Sequence, residues 1–320
     1  ELSRTELRHI TRRFVAELVD NIGPHTDIPA PDVYTNAQTM AWIYDTYDRM
    51  HPGGNNLAVV TGKPLDIGGS VGRDEATSRG CWNATEQLLR RGAVPGLHTL
   101  EGARVAIQGY GNAGSVAAKM FQNAGATVIA VSDSRGGIAS EDGLDYEAVL
   151  EHKRETGSVV DFPKTQAISN AELLASECDI LVPAALECQI TEANAGDVQA
   201  RLIAEAANGP LTAGADRILS QQGVVVLPDI LANAGGVVVS YFEWVQNLQN
   251  QKWSLDKVER LLNEKMCRAV DETVDRHDDL RDRYSNGFNA DSAVPTLRDA
   301  ALANAITRIA TVIVQRDIWP

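Results

Sequence analysis

Near the start of the chain, apolar residues recur at intervals of three and four. Leu7, Ile10, Phe14 and Leu18 lie on one helical stripe. Ser3-Arg4-Thr5-Glu6 precedes the stripe as a capping box, in which a hydroxyl and a carboxylate three residues apart satisfy each other's backbone N–H. Gly23 and Pro24 end the helix. Two prolines, Pro29 and Pro31, hold the segment Asp27 to Thr35 (DIPAPDVYT) extended. Thr35-x-x-Gln38 then predicts a capped second helix through Tyr47. His51 to Asn55 is a loop. Thr61 to Gly80 is glycine-rich and polar, and it gives way to a helix through about Leu89.

From Arg104 the period changes. Short apolar runs at Arg104–Gln108, Thr127–Val131, Asp179–Pro183, Leu202–Ala206 and Val224–Leu227 read as strands, with helical segments such as Asn112–Asn123 between them. Strands alternating with helices predict an α/β fold, with a Rossmann-like, doubly wound, mainly parallel sheet covered on both faces. After Asp229 the pattern is helical: Asn233–Gln249, Ser254–His277 and Thr296–Gln315. In the last of these, Leu297, Ala301, Ile306, Ile309 and Ile313 lie on or near one stripe, which predicts packing against another element.

Composition narrows the function. With 320 residues, 44% of them hydrophobic, the chain can bury a sizeable core and suits two domains better than one. A net charge of -14 makes nucleic acid and anionic membranes poor partners, because no basic surface is available to displace counterions. The four cysteines, Cys81, Cys178, Cys188 and Cys267, are scattered without a C-x-x-C pair, so no metal site is expected and a reducing cytoplasm is. Cys178 and Cys188 read as small buried hydrophobes near the sheet. No apolar run reaches the length of a membrane span.

The strand Arg104–Gln108 runs into Gly109-Tyr110-Gly111-Asn112-Ala113-Gly114, a G-x-G-x-x-G with strand before and helix after. Gly109 permits the tight turn. Gly111 lets the backbone approach a pyrophosphate, and Gly114 lets the helix lie close to the sheet. The free N–H groups of the following helix face the phosphates. The next strand ends at Ser132-Asp133-Ser134, and Asp133 falls about 20 residues past the turn, where an acid binds the adenosine ribose hydroxyls. A carboxylate there repels a 2′-phosphate and favours NAD. Arg135 offsets part of that repulsion, so NADP stays open.

A rigid proline loop carrying carboxylates, such as DIPAPDVYT, suits a positioned general base, although read alone such a loop is more often a turn running into a helix cap. Further segments accompany it: Gly72 to Gly80 (GRDEATSRG), the glycine turn GYGNAG, Ala204 to Pro210 (AEAANGP) and Leu227 to Trp244 (LPDILANAGGVVVSYFEW). Together, and in this order, these segments resemble the signature of glutamate dehydrogenases, within the family that also acts on leucine, phenylalanine and valine. The resemblance spans nearly the whole chain.

The resemblance implies reversible oxidative deamination of L-glutamate to 2-oxoglutarate and ammonia with NAD(P). It makes Asp32 the catalytic proton shuttle. It places Arg73 near the substrate α-carboxylate, where a guanidinium fork fits, and makes Asn233 and Ser240 substrate contacts, with Ser240 near the side-chain carboxylate. Thr77, Asn112, Ala184, Ala185 and Asn208 join Gly109, Gly111, Gly114, Asp133 and Ser134 around the cofactor. From the residues alone, Arg73 also suits an ion pair with Asp74 or Glu75. His25 reads as a loop histidine, and Tyr241, Phe242 and Trp244 as a packing stripe.

The implied architecture has two domains with a cleft between them. Residues 1–68 form the later part of a substrate and oligomerisation domain, rejoined by the C-terminal helix 295–320, and residues 69–294 form the dinucleotide domain. The family commonly forms homohexamers. It also places essential lysines, one of which polarises the substrate carbonyl, in a Gly-Lys-Gly context upstream of the position matching Glu1. Lys63, Lys119, Lys153, Lys164, Lys252, Lys257 and Lys265 do not stand in that setting, so residues upstream are expected. The alternatives are a non-catalytic regulatory subunit of the same fold and a leucine, phenylalanine or valine dehydrogenase, against which Ser240 and DIPAPDVYT speak.

Overall fold

The computed structural model describes residues 2–32, 34–285 and 294–317. In chain order its helices and strands begin with α1 (Arg4–Glu17), α2 (Ala37–Met50), α3 (Ala76–Arg90), β1 (Arg104–Gln108), α4 (Asn112–Asn123) and β2 (Thr127–Asp133). They continue with β3 (Gly136–Ala139), α5 (Tyr146–Thr156), β4 (Gln166–Ile168), α6 (Asn170–Leu174), β5 (Ile180–Pro183) and β6 (Leu202–Ala204). The last are α7 (Ala213–Gln222), β7 (Val225–Leu227), α8 (Asp229–Ala232), α9 (Gly235–Leu248), α10 (Leu255–Ser285) and α11 (Leu297–Gln315).

The chain groups into two compact units, 1–76 with 236–263, and 77–235 with 264–320. This grouping differs from the segments expected from sequence. The loop up to Ala76 and most of α9 pack with the first unit, and α11 packs with the second.

In the first unit α1 and α2 lie together over Val15, Ile22, Met40, Ile43, Tyr47, Val59 and Val60. The capping box at Ser3 and Glu6 is present. The α2 cap is Asn36, not Thr35: the Asn36 side chain accepts from the amides of Gln38 and Thr39. Thr35 is otherwise engaged, because its hydroxyl bonds the backbone of Asp32. The outer face of α1 leaves Leu7, Ile10 and Phe14 exposed.

The second unit is built on a seven-stranded sheet in the order β4-β3-β2-β1-β5-β6-β7. From β2 to β7 every pairing is parallel, and β3 and β4 extend the sheet antiparallel. Val105, Ala106, Ile107 and Gln108 of β1 are all buried, as a strand covered on both faces requires. Leu181, Ile203, Leu211, Leu219 and Val226 belong to the core on one side of it. The expected strands are thus found, with β3 and β4 in addition. The stripe on α11 is buried only at its start, at Leu297 and Ala300; Ile306, Ile309 and Ile313 are exposed. Cys178 is buried as expected. Cys188 is exposed, with φ at +52°, because it sits past the end of β5 where the chain leaves the sheet. No described helix is long and apolar enough to cross a membrane.

Candidate functional site

The glycine turn lies where β1 meets α4. Gly109 has φ at +89°, and a Cβ there would meet the Ala184 carbonyl oxygen and the Ala185 Cβ, each at 2.9 Å. A Cβ on Gly114 would lie 1.7 Å from the Gly109 carbonyl oxygen, so no other residue fits. A Cβ on Gly111 meets nothing within 4 Å, which leaves that backbone open to an approaching group. Gly111 is also the N-cap of α4, and it makes no side-chain capping bond. The first amides of α4 are therefore free to bind an anion, as a dinucleotide pyrophosphate requires. Asn112 is exposed at this helix start. Nearby, Ser78 donates its hydroxyl to the Ala113 carbonyl at 2.7 Å, which fixes the segment carrying Thr77 beside α4.

At the end of β2, Asp133 is not a bare acid. One oxygen accepts from the Arg135 amide at 2.9 Å and the Ser158 hydroxyl at 3.1 Å. The other accepts from the Val159 amide at 2.8 Å and pairs with the Lys153 ammonium at 3.2 Å. Its side chain is 6% exposed. Burial works against its charge, yet the amides of Arg135 and Val159 and the Lys153 ammonium outweigh burial and hold its carboxyl below the usual range. A carboxylate offers about four lone-pair sites, and here the chain's own donors take them. Ser134 is exposed beside it.

Asn208 and Asn233 are brought together: the Asn233 amide donates to the Asn208 side-chain oxygen at 2.6 Å. Their loops are set by an arginine that the sequence reading left out. Arg298, on α11, pairs with Glu205 at 2.6 Å, Asp229 at 3.2 Å and Asp216 at 3.4 Å. Asp229 in turn accepts the Gly209 amide at 2.8 Å, and Glu205 accepts the Asp229 amide at 2.6 Å. Burial pushes the Glu205 carboxyl up to about 7, against the pull of Arg298. The start of α9 is held close to α3 by small residues, since a Cβ on Gly80 would lie 2.6 Å from the Gly235 Cα.

In the first unit, Asp32 is exposed at the tip of a tight turn. Its amide bonds the Thr35 hydroxyl at 2.7 Å, and its carbonyl accepts the Thr35 amide at 2.9 Å. Arg73 and Ser240 are in direct contact: the Arg73 Nε donates to the Ser240 hydroxyl at 2.9 Å. Sequence resemblance sends these two toward opposite ends of a substrate, whereas the structure joins them. The two terminal nitrogens of Arg73 make no hydrogen bond among the described residues. Burial lowers the affinity of its guanidinium for a proton, while the charges of Glu243 and Asp74 oppose that. A half-buried cation with a free fork beside a hydroxyl is suited to hold a carboxylate.

Beneath Arg73 lies a second pair absent from the sequence reading. The side chains of Lys63 and Glu243 are completely buried, with Nζ 2.6 Å from Oε1. A clue was available, because Glu243 is the one acid inside the otherwise apolar and polar run GGVVVSYFEWVQNL of α9. Lys153 and Arg298 offered no comparable local signal. Of the aromatic stripe on α9, Phe242 is buried, Tyr241 is exposed, and the Trp244 indole donates to the Pro24 carbonyl at 2.7 Å.

Comparison with known proteins agrees with this geometry. Residues 68–316 match the family model described as Glutamate/Leucine/Phenylalanine/Valine dehydrogenase. Residues 1–49 match the model for the dimerisation domain of the same family. A glutamate dehydrogenase of Thermotoga maritima is 47% identical over 324 aligned residues, covering 100% of this chain and 73% of that protein. Among solved structures, the hetero-hexameric glutamate dehydrogenase of Thermus thermophilus, in a leucine-bound form, aligns with a TM-score of 0.88 and 37% identity, over 100% of this chain and 71% of that one. The glutamate dehydrogenase of Peptoniphilus asaccharolyticus aligns with a TM-score of 0.78 and 34% identity, over 99% of this chain and 72% of that one.

Proposed function

Because the chain belongs to the glutamate/leucine/phenylalanine/valine dehydrogenase family, we propose that it is an NAD(P)-dependent oxidoreductase interconverting L-glutamate with 2-oxoglutarate and ammonia. The observation that carries glutamate over the other substrates of the family is the contact between Arg73 and Ser240. An apolar amino-acid side chain beside this pair would leave a half-buried cation without a partner, a cost that a carboxylate removes. Arg73 and Ser240 therefore read one carboxylate together, the one on the substrate side chain. Asn233 is a further substrate contact, steadied through Asn208.

When bound, the nicotinamide supplies the hydride acceptor. Gly109 makes the tight turn, Gly114 lets α4 lie close to β1, and Gly111 leaves room for its pyrophosphate, whose charge the open amides at the start of α4 hold. Thr77, Ala184, Ala185 and Asn208 line the remainder of the cofactor groove, and Asp133 and Ser134 the ribose end. Asp32 takes a proton from the attacking water as the carbinolamine forms and returns it to the departing amine as the carbinolamine collapses, a role suited to an exposed carboxylate on a turn pinned by Thr35. The unit of residues 1–76 and 236–263 serves the substrate, and the glycine-turn unit is the dinucleotide domain.

NAD(H) is the proposed cofactor, with NADP(H) also accepted. Lys153 supports the second part, because it balances the carboxylate that would otherwise repel a 2′-phosphate. The protein acts in the cytoplasm, in keeping with four free cysteines. Copies assemble as a homohexamer; the match to a dimerisation domain and the exposed apolar residues on α1 and α11 support assembly. A mixed hexamer is the runner-up, since the Thermus thermophilus relative is hetero-hexameric. A non-catalytic subunit is not favoured, because the glycine turn and the Asp32 loop are both intact. The test is turnover of L-glutamate against L-leucine, L-phenylalanine and L-valine, with NAD and with NADP. Preference for any of the three apolar amino acids would refute the substrate assignment.

A further inference from the structure

Glu243 lies one helical turn beyond Ser240 on α9, and its carboxylate gathers the whole loop from Thr61 to Arg73. Oε2 accepts the amides of Gly62 at 2.9 Å and Ser70 at 3.3 Å. Oε1 accepts the Lys63 amide at 3.3 Å and the Lys63 ammonium at 2.6 Å. That ammonium also donates to the Val60 carbonyl. Neighbouring residues of α9 extend the grip: the Gln246 amide donates to the Ser70 hydroxyl at 3.0 Å, and the Gly68 backbone packs against Asn247. Gly69 turns so tightly that a Cβ would lie 2.0 Å from the Lys63 carbonyl oxygen.

This loop bears on both chemical groups of the first unit. At one end it delivers Arg73 to Ser240. At the other, the Thr61 amide bonds the Pro29 carbonyl at 3.0 Å, and Gly62 lies so close to Pro31 that a Cβ would be 2.4 Å from its ring. Pro31 is the residue before Asp32. A buried carboxylate with four donors, backing a lysine that is also fully buried, is costly to assemble for stability alone, because an apolar pair of the same volume serves a core as well.

We propose that Glu243 is a positioning residue for substrate binding and proton transfer: through Lys63 and the loop amides it sets Arg73 against Ser240 and holds the Pro29–Asp32 turn. The proposal rests on the glutamate reading. Lys63 cancels the carboxylate's charge locally, so the Glu243–Lys63 pair shapes the site without repelling the substrate's anionic groups from Arg73.

The experiment compares Glu243→Gln, Glu243→Asp and the double variant Lys63→Met/Glu243→Gln with the parent in the full chain, by KM for 2-oxoglutarate, KM for the cofactor, kcat and thermal midpoint. Wild-type turnover of glutamate reports separately on the substrate reading. Glu243→Gln is expected to raise KM for 2-oxoglutarate roughly tenfold or more and to lower kcat, with the cofactor KM unchanged, as loss of a charged hydrogen-bond acceptor implies. The double variant regains the thermal midpoint but not the 2-oxoglutarate KM. If Glu243→Gln does not fold, Glu243→Asp, which keeps the charge one methylene short, still shows a selective rise of about threefold or more. A double variant that recovers midpoint and KM together, or an unchanged 2-oxoglutarate KM in Glu243→Asp, overturns the proposal, because the pair is then only part of the core.

Discussion

The ammonium of Lys153 stands 3.2 Å from the carboxylate of Asp133 and donates to the Tyr110 carbonyl at 2.9 Å, so one side chain on α5 links the end of β2 to the glycine turn. Asp133, expected from its position to grip the ribose, has both carboxylate oxygens engaged by donors of the chain. Replacing Lys153 by Met exposes the carboxylate's charge to the cofactor. Relative kcat/KM for NADP over NAD is expected to fall by roughly three- to tenfold, the scale of one partly exposed charge contact. Asp133→Ser frees Lys153 and shifts the ratio the other way. Steady-state kinetics with both cofactors decide it, and an unmoved ratio in both variants would remove this cluster from the cofactor site.

Asp32→Asn keeps the turn with Thr35, because the backbone and not the carboxylate makes those bonds. The amide cannot accept a proton. Turnover is expected to drop roughly 10²–10⁴-fold, the usual contribution of a placed acid–base group, while glutamate still binds. Near-normal kcat in this variant would move the proton shuttle elsewhere.

The glycine turn was legible because strand, turn and helix are contiguous, and each glycine answers a local steric demand. The central parallel strands were legible for a similar reason, since burial on both faces writes itself as an apolar run. What escaped was decided by distant partners. β3 and β4 are four and three residues long, and they exist because β2 offers an edge to pair with. Lys63 meets Glu243 across 180 residues, and Arg298 meets Glu205 across 93. Thr35 and Asn36 are both competent caps, and only the folded loop shows that Asp32 has already engaged Thr35. The apolar stripe of α11 predicts packing, whereas burial in this chain ends near Ala300.

Glu205 makes stability depend on pH in a definite direction. Its carboxyl is pushed up to about 7 from an ordinary 4.5, because burial outweighs Arg298. Between these values the folded chain holds a proton that the unfolded chain has released. This group's contribution therefore falls as pH rises through that window, and the cost is complete above about 7. The full change is on the order of 3 kcal/mol. Glu205→Gln, which cannot ionise, is expected to lose that part of the slope while retaining the shape of the Arg298 cluster. Thermal midpoints measured from pH 5 to pH 8 compare the two proteins, and parallel curves would show that Glu205 is charged throughout.

Whether Arg73 and Ser240 serve one carboxylate or two is answerable by a double-mutant cycle. If they read opposite ends of the substrate, Arg73→Met and Ser240→Ala remove independent contacts, and their effects on kcat/KM for glutamate add. If they act together, as the 2.9 Å bond from Nε to the hydroxyl implies, the first loss already disables the second group. Ser240→Ala alone strands a half-buried N–H and lets the guanidinium turn, which is expected to raise KM roughly tenfold. Arg73→Met removes the cation itself and costs more. The double variant should then be little worse than Arg73→Met, with a coupling of about 1–3 kcal/mol, as residues in direct contact show. The same cycle run with the cofactor as the varied ligand should give no coupling, because neither residue belongs to the unit that carries the glycine turn. Additive losses in the glutamate cycle would separate the two residues and return Arg73 to the α-carboxylate.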